Sequence, residues 1–244
     1  MTSETFLEKE SRILSDIATR GLSSRDKCLV TATPRSPKVQ AGYFALLRPS
    51  ADVRCCVEYF SQGVRDALGD RVISYHNQGF GTVHTTVATQ GIREFDDSND
   101  AFNPDNGLLD VMADSLSASI SKVRSPLILG YSGFINDPST VLLRPTGDAE
   151  TYLSLQRTFI EEAESRGLSL KPSWGRHTTV SRFTEDIPAS EAQGFFGLMD
   201  SSASRQRSSL STPAEDISVG HFRWSSDDGF LIFPYRTFVL PQAA

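Results

Sequence analysis

The chain has 244 residues, 39% of them hydrophobic, 22% charged and 9% aromatic, which argues against disorder, collagen and coiled coil and supplies enough apolar side chain for a substantial core. Lys and Arg number 24 against 30 Asp and Glu, so the formal charge of -6 provides no global positive field to hold a long phosphate backbone. The three cysteines, Cys28, Cys55 and Cys56, form neither a disulfide framework nor a zinc spacing; no apolar run approaches the ~18 residues of a membrane span, and polar Met1 to Arg20 lacks a signal-peptide core. A cytoplasmic protein with no membrane partner is therefore expected.

In chain order, Thr5 to Arg20 carries Phe6, Leu7, Ile13, Leu14 and Ile17 among charges and is followed by Gly21, which predicts an amphipathic helix. It reads as part of an N-terminal extension, residues 1–39, and not as a catalytic element. Gly42 to Pro49 predicts a core strand, and Val53, Val57, Phe60, Val64 and Leu68 a helix stopped by Gly69. Arg71 to Thr89 predicts one or two strands around Gly79-Phe-Gly81, Arg93 to Gly107 a polar loop, and Leu108 to Val123 a helix. Pro126 to Phe134 and Thr140 to Arg144 are strand-like, Asp148 to Arg166 is helical up to Gly167, and Ser173 to Phe183 is a strand region. Pro188 to Met199 predicts a helix, Asp200 to Thr212 a Ser-rich loop, and Ile217 to Trp224 with Gly229 to Leu240 a closing hairpin. The class is α+β and not alternating βαβ.

Two of the four histidines lie in identical tetrapeptides, His84-Thr85-Thr86-Val87 and His177-Thr178-Thr179-Val180. On a strand, the two-residue period puts His84 with Thr86 on one face and Thr85 on the other, and likewise separates His177 and Thr179 from Thr178. If duplicated halves face each other, two imidazoles and two hydroxyls meet across one cleft. In-line displacement at phosphorus requires one group to take a proton from the incoming oxygen and another to protonate the leaving oxygen, tasks that two imidazoles divide near neutral pH. Thr86 and Thr179 would donate to the non-bridging oxygens.

The paired H-x-T motifs, together with the strand at Gly42 to Pro49, the helix from Ser50, and Gly175-Arg-His-Thr-Thr-Val-Ser-Arg182, resemble the two-histidine (2H) phosphoesterase superfamily, which includes LigT-like RNA cyclic phosphodiesterases. The resemblance covers roughly residues 40 to 240 and departs at Arg176, where many relatives carry proline. It implies that residues 40–244 form one two-lobed α+β unit, of approximate halves 40–125 and 126–244, with antiparallel sheets lining a central cleft and helices outside. It further implies hydrolysis of cyclic or oligonucleotide phosphodiesters without metal or other cofactor, with His84 and His177 as the acid/base pair and Thr86 and Thr179 as phosphate ligands.

Other residues are weighed against plainer roles. Thr85 and Thr178 read as packing residues. Arg182 follows His177 by five positions, so it reaches the same face only if a twist or bulge intervenes. Tyr131 and Trp174, each beside a glycine near the expected cleft, are candidates for stacking on a base. His76 and His221 lack the motif and read as structural. No H-E-x-x-H or paired-Cys spacing suggests a metal, and Gly79-Phe-Gly81 and Gly130-Tyr-Ser-Gly133 match neither a P-loop nor a dinucleotide fingerprint. The expected partner is a small nucleotide or short RNA end acted on by a monomer. The alternatives are a nucleotide- or RNA-binding module with little turnover, or a 2'-5' RNA ligase or transfer activity.

Overall fold

A computed structural model describes residues 4–32, 39–74, 83–95, 102–147, 149–205, 210–225 and 229–242. The elements are α1 (Phe6–Asp26), β1 (Val39–Arg48), α2 (Ala51–Leu68), β2 (Val72–Ser74), β3 (Thr85–Phe95), α3 (Asn106–Ile120), β4 (Ile128–Asn136), β5 (Thr140–Thr146), α4 (Glu150–Ser165), β6 (Lys171–Pro172), β7 (Thr178–Phe183), α5 (Ala189–Arg205), β8 (Leu210–Pro213), β9 (Asp216–Ser225) and β10 (Gly229–Val239). The motif Gly79-Phe-Gly81 and His76 lie outside the described residues.

The strands form two antiparallel sheets, ordered β10-β9-β1-β3-β6 (sheet I) and β2-β7-β5-β4-β8 (sheet II). Set side by side, β9-β1-β3-β6 and β4-β5-β7-β2 have the same plan, which makes the chain two copies of a strand, helix, strand, strand, helix, strand unit. Each copy lends two strands to the other's sheet: β2 and β4 go to sheet II, and β6 and β9 to sheet I. The repeat boundary therefore falls between β4 and β5, after Asn136, and each sheet draws on both of the halves expected on either side of residue 125. Helices α3 and α4 pack together and on sheet I, whereas α2 and α5 pack together and on sheet II.

The sequence signals explain most element ends. Thr5 and Glu8 form a reciprocal capping box that opens α1, and Asp105 accepts from the Gly107 and Leu108 amides to open α3. Gly69 and Gly167 follow α2 and α4 with φ of 65° and 80°, conformations that disfavour any side chain with a Cβ.

Several expected boundaries move, and three of the shifts have a visible cause. Helix α1 continues through Gly21 to Asp26, because that glycine is a close-approach residue and not a stop: a Cβ there would lie 2.1 Å from the Asn136 carbonyl oxygen of β4. Strand β3 runs on to Phe95, since Arg93 and Glu94 pair with Ala41 and Gln40 on β1. Helix α5 extends into the Ser-rich stretch, where Ser201 returns its hydroxyl hydrogen bond to the Leu198 carbonyl at 2.9 Å. No described helix is long and apolar enough to cross a membrane.

Candidate active site

His84 and His177 each occupy the residue immediately before a strand, at the heads of β3 and β7. The expected two-residue alternation holds from there. Thr85 and Thr178 point into the core, fully buried, and their hydroxyls lie 2.9 Å apart. On the other side of the same backbone, His84, Thr86, His177 and Thr179 line one cavity of about 260 Å³ between the sheets.

Both strands then bulge at the motif valine. On β3, Leu46 pairs with Thr86 and Ala45 with Ala88, leaving Val87 as the extra residue; on β7, Leu142 pairs with Thr179 and Val141 with Ser181, leaving Val180. An extra residue reverses the in/out alternation beyond it. Arg182, three positions after Thr179, thereby comes to the cavity wall, and so does Thr89, three after Thr86. Thr89 was not anticipated from the sequence, although its offset of five from His84 repeats that of Arg182 from His177. Buried side chains of α4 satisfy the bulge of β3: the Tyr152 hydroxyl donates to the Thr86 carbonyl at 2.8 Å and Gln156 Nε2 to the Val87 carbonyl at 2.7 Å.

The rest of the wall comes from sheet I, where Gln40, Phe44 and Leu46 of β1 and Phe222 and Trp224 of β9 face the cavity. The Arg182 guanidinium carbon lies 5.2 Å from the centroid of the Trp224 ring, and its Nε is buried without a hydrogen-bond partner. His177 Nδ1 is likewise buried and unpartnered. Trp174 stacks on the His177 imidazole with centroids 3.9 Å apart and planes 14° from parallel. Burial first, then the positive charges of His84 and Arg182, push the His177 pKa down to about 3, against a weak opposing pull from the Gly175 carbonyl. His177 is thus a neutral imidazole at neutral pH.

Tyr131 does not reach this cavity. It is 1% exposed, and its hydroxyl bonds to Thr85 at 2.7 Å and Thr178 at 3.2 Å, closing a buried triad where the two motifs meet. The beside-glycine signal misled because Gly130 serves strand packing: a Cβ there would meet the Thr146 carbonyl oxygen at 2.6 Å. Changing Tyr131 to Phe should lower stability by about 1 kcal/mol in urea unfolding and leave KM unchanged. His221 stacks on Phe233 at 4.8 Å, away from the groove, in keeping with a structural role.

The N-terminal helix, expected to be peripheral, reaches the site. Glu10 is 4% exposed and Arg176, the residue before His177, is 6% exposed. The Glu10 carboxylate accepts from the Arg176 backbone amide at 2.6 Å and from its guanidinium at 2.9 Å, while Arg176 Nη1 donates to the Gly147 carbonyl at 3.2 Å. Gly175 permits this approach, as a Cβ there would lie 3.2 Å from Glu10 Cγ. Among the described residues, no group of three or more His, Cys, Asp or Glu comes together in a manner suited to a metal ion.

The sequence matches no protein-family model and no curated protein sequence. In structure the chain resembles TT0787 of Thermus thermophilus, with a TM-score of 0.52 and 15% identity over 83% of this chain and 100% of that one. It also resembles ATU0111, a conserved protein of unknown function from Agrobacterium tumefaciens, with a TM-score of 0.51 and 12% identity over 83% and 90% of the two chains. Apo LigT of Escherichia coli aligns over 83% and 99% at a TM-score of 0.46 and 14% identity. At these identities the likeness is one of fold. The chain is thus an α+β protein that shares its fold with TT0787 and ATU0111, with two antiparallel sheets facing across a cleft and an H-x-T motif at the head of one strand in each.

Proposed function

We propose that the chain is a phosphodiesterase that hydrolyses a 2',3'-cyclic phosphate, or a related nucleotide or RNA-end phosphodiester, by two-histidine general acid/base catalysis without a metal. The observation that carries this reading is the convergence of His84 and His177, with Thr86, Thr179 and Arg182, on one cavity from equivalent positions of the two repeats.

The phosphoryl group sits between the histidines, its non-bridging oxygens accepting from Thr86, Thr179 and the unpartnered Arg182 Nε. Neutral His177 takes the proton of the attacking water as the new P–O bond forms. His84 delivers a proton to the oxygen whose bond to phosphorus breaks. The ribose and base lie toward sheet I, where Phe222 and Trp224 offer apolar ring surface. Preorganised donors at the phosphoryl oxygens need no reorientation as charge shifts, which is the physical basis of their effect on the rate.

Phosphorus NMR with EDTA present, on nucleoside 2',3'-cyclic phosphates, oligonucleotides ending in cyclic phosphate and 2'-5' oligoadenylate, tests the reading. Ring opening or diester cleavage is the expected result. Ligand binding without product from any of them would leave a binding module in its place.

A further inference from the structure

A second cavity of about 160 Å³ adjoins the first and shares His177, Thr179 and Arg182 with it. Its remaining wall is formed by Ile17 of α1, Asp137 at the β4–β5 turn, Thr140 and Leu142 of β5, and Trp174. His84 lines the first cavity and not the second. A phosphoryl group held by Thr179 and Arg182 therefore sits where the two chambers meet; the proposed base faces both, and the proposed acid faces only the first. In-line displacement puts the incoming oxygen beside the base and the departing oxygen beside the acid. The departing oxygen and its ribose then belong to the aromatic chamber at sheet I, which leaves the second chamber to the incoming oxygen.

The second chamber suits a small occupant. It has room for several water molecules, each needing about 10 to 15 Å³, or for a small alcohol among them. Its Asp137 carboxylate is taken up by the fold: Oδ1 accepts from the Ser139 amide at 2.8 Å and from the Ser139 hydroxyl at 3.1 Å, and Oδ2 lies 3.4 Å from Arg20 of α1. Ile17, Leu142 and Trp174 make the rest of the unshared wall largely apolar, and Trp174 already has one ring face against His177. The helix side of this wall is held in place. Ile17 lies on the buried stripe Glu10, Leu14, Ile17 and Gly21, fastened at one end by the Glu10–Arg176 pair and at the other by the close approach of Gly21 to the Asn136 carbonyl. An attacking water carries only hydrogens on its oxygen, whereas the carbon of an attacking alcohol must project away from phosphorus into the chamber. The unshared wall then limits how large that alcohol can be.

We propose that this chamber admits the attacking nucleophile beside His177, and that Ile17 of the N-terminal helix sets which nucleophile enters: water for hydrolysis, or a small alcohol for transfer. The proposal rests on the phosphodiesterase reading above and deepens it. With water, its oxygen bonds to phosphorus and its proton passes to His177; the P–O bond to the substrate's ribose oxygen breaks, that oxygen takes the proton of His84, and the product is a monoester. With an alcohol, the alkoxy oxygen bonds to phosphorus, the same bond breaks, the same two protons move, and the product is an alkyl diester.

The test is a product ratio, which does not depend on how much of a variant is folded. Whichever substrate of the phosphorus NMR panel turns over is run with methanol and, separately, with glycerol, and alkyl diester is measured against monoester in wild type, Ile17→Ala and Ile17→Trp. We expect the glycerol ratio to be about tenfold or more higher in Ile17→Ala than in Ile17→Trp, with the wild type between them, and the methanol ratio to differ by about twofold or less. KM for the nucleotide should stay within about twofold in both variants, because ribose and base occupy the other chamber. Should Ile17→Trp fail to fold, the comparison of Ile17→Ala with wild type decides, with a rise of about threefold or more expected in the glycerol ratio. An unchanged glycerol ratio, no alkyl ester from any of the three proteins, or a change in KM in place of the change in ratio would overturn the assignment. A wild type that turns over no member of the panel would instead overturn the phosphodiesterase reading on which it stands.

Discussion

Alanine at His177 is expected to lower kcat by about 10²- to 10⁴-fold, and alanine at His84 by a comparable factor, because in the proposed mechanism each imidazole moves one of the two protons that in-line hydrolysis requires. The double variant should lose much less than the product of the two factors, since groups that act as a unit are not additive. Single-turnover rates on whichever substrate the phosphorus NMR panel identifies provide the measurement. Activity surviving both substitutions would remove these residues from the chemistry.

The two histidines should also be distinguishable by pH. His177 is held neutral down to about pH 3 by burial and by the charges of His84 and Arg182. As the base it is active when neutral, so its protonation should not depress kcat/KM as pH falls from 7 to about 4. His84, as the proposed acid, should instead set an alkaline limb, activity falling as pH rises and its proton is lost; disappearance of that limb in His84→Gln but not in Arg182→Gln would show that His177 does not set it. Proton NMR titration should find the His177 pKa higher in both Arg182→Gln and His84→Ala, yet still below its ordinary value, because burial is the largest of the three causes. The sign for stability is the same as for acid denaturation. The unfolded imidazole binds a proton near 6.5 and the folded one only near 3, so this residue withdraws stability as pH falls through that interval.

Glu10→Ala is expected to destabilise the protein by about 3 to 5 kcal/mol, the range for breaking a buried ion pair by removing one partner. The backbone amide, Nε and Nη2 of Arg176 would all lose the carboxylate they donate to while remaining enclosed. Urea unfolding gives the measurement: the midpoint should drop with little change in slope. A double change, Glu10→Leu with Arg176→Met, should recover most of the loss, because no charge is then left unpaired in the core. If Glu10→Ala proves nearly neutral, the N-terminal helix is a surface appendage, contrary to its burial. In the variants that stay folded, the loss of kcat should exceed any change in KM, since the peptide that loses its anchor leads into His177, the proposed base, and not into the aromatic wall.

The site was legible in the sequence to the extent that its chemistry is periodic. A repeated tetrapeptide on strand-like segments located His84, His177, Thr86 and Thr179 on one face, because the side-chain alternation of a strand is local. Arg182 was legible only as a condition, since the bulge at Val180 that brings it to the cavity arises from how β7 pairs with β5. Trp174 was picked out by its neighbours, and the structure stacks it on His177. Tyr131 carried the same local signal and lies in the core, because the residue that decides its surroundings, Thr85 or Thr178, is 46 or 47 positions away.

What the sequence by itself determined was the alphabet of the site and the class of the fold: two imidazoles, two hydroxyls and an α+β order of elements. Periodicity and turn chemistry are properties of short segments, and short segments are what a sequence displays directly. Only the tertiary structure decided which strands each repeat lends to the other's sheet, that two bulges turn Thr89 and Arg182 inward, and that an apparently separate helix anchors the residue before His177 through Glu10 and lines a cavity beside it with Ile17. Each of those depends on pairing or burial between segments far apart in the chain. A carboxylate such as Glu10 looks the same in sequence whether it faces water or an arginine 166 residues away.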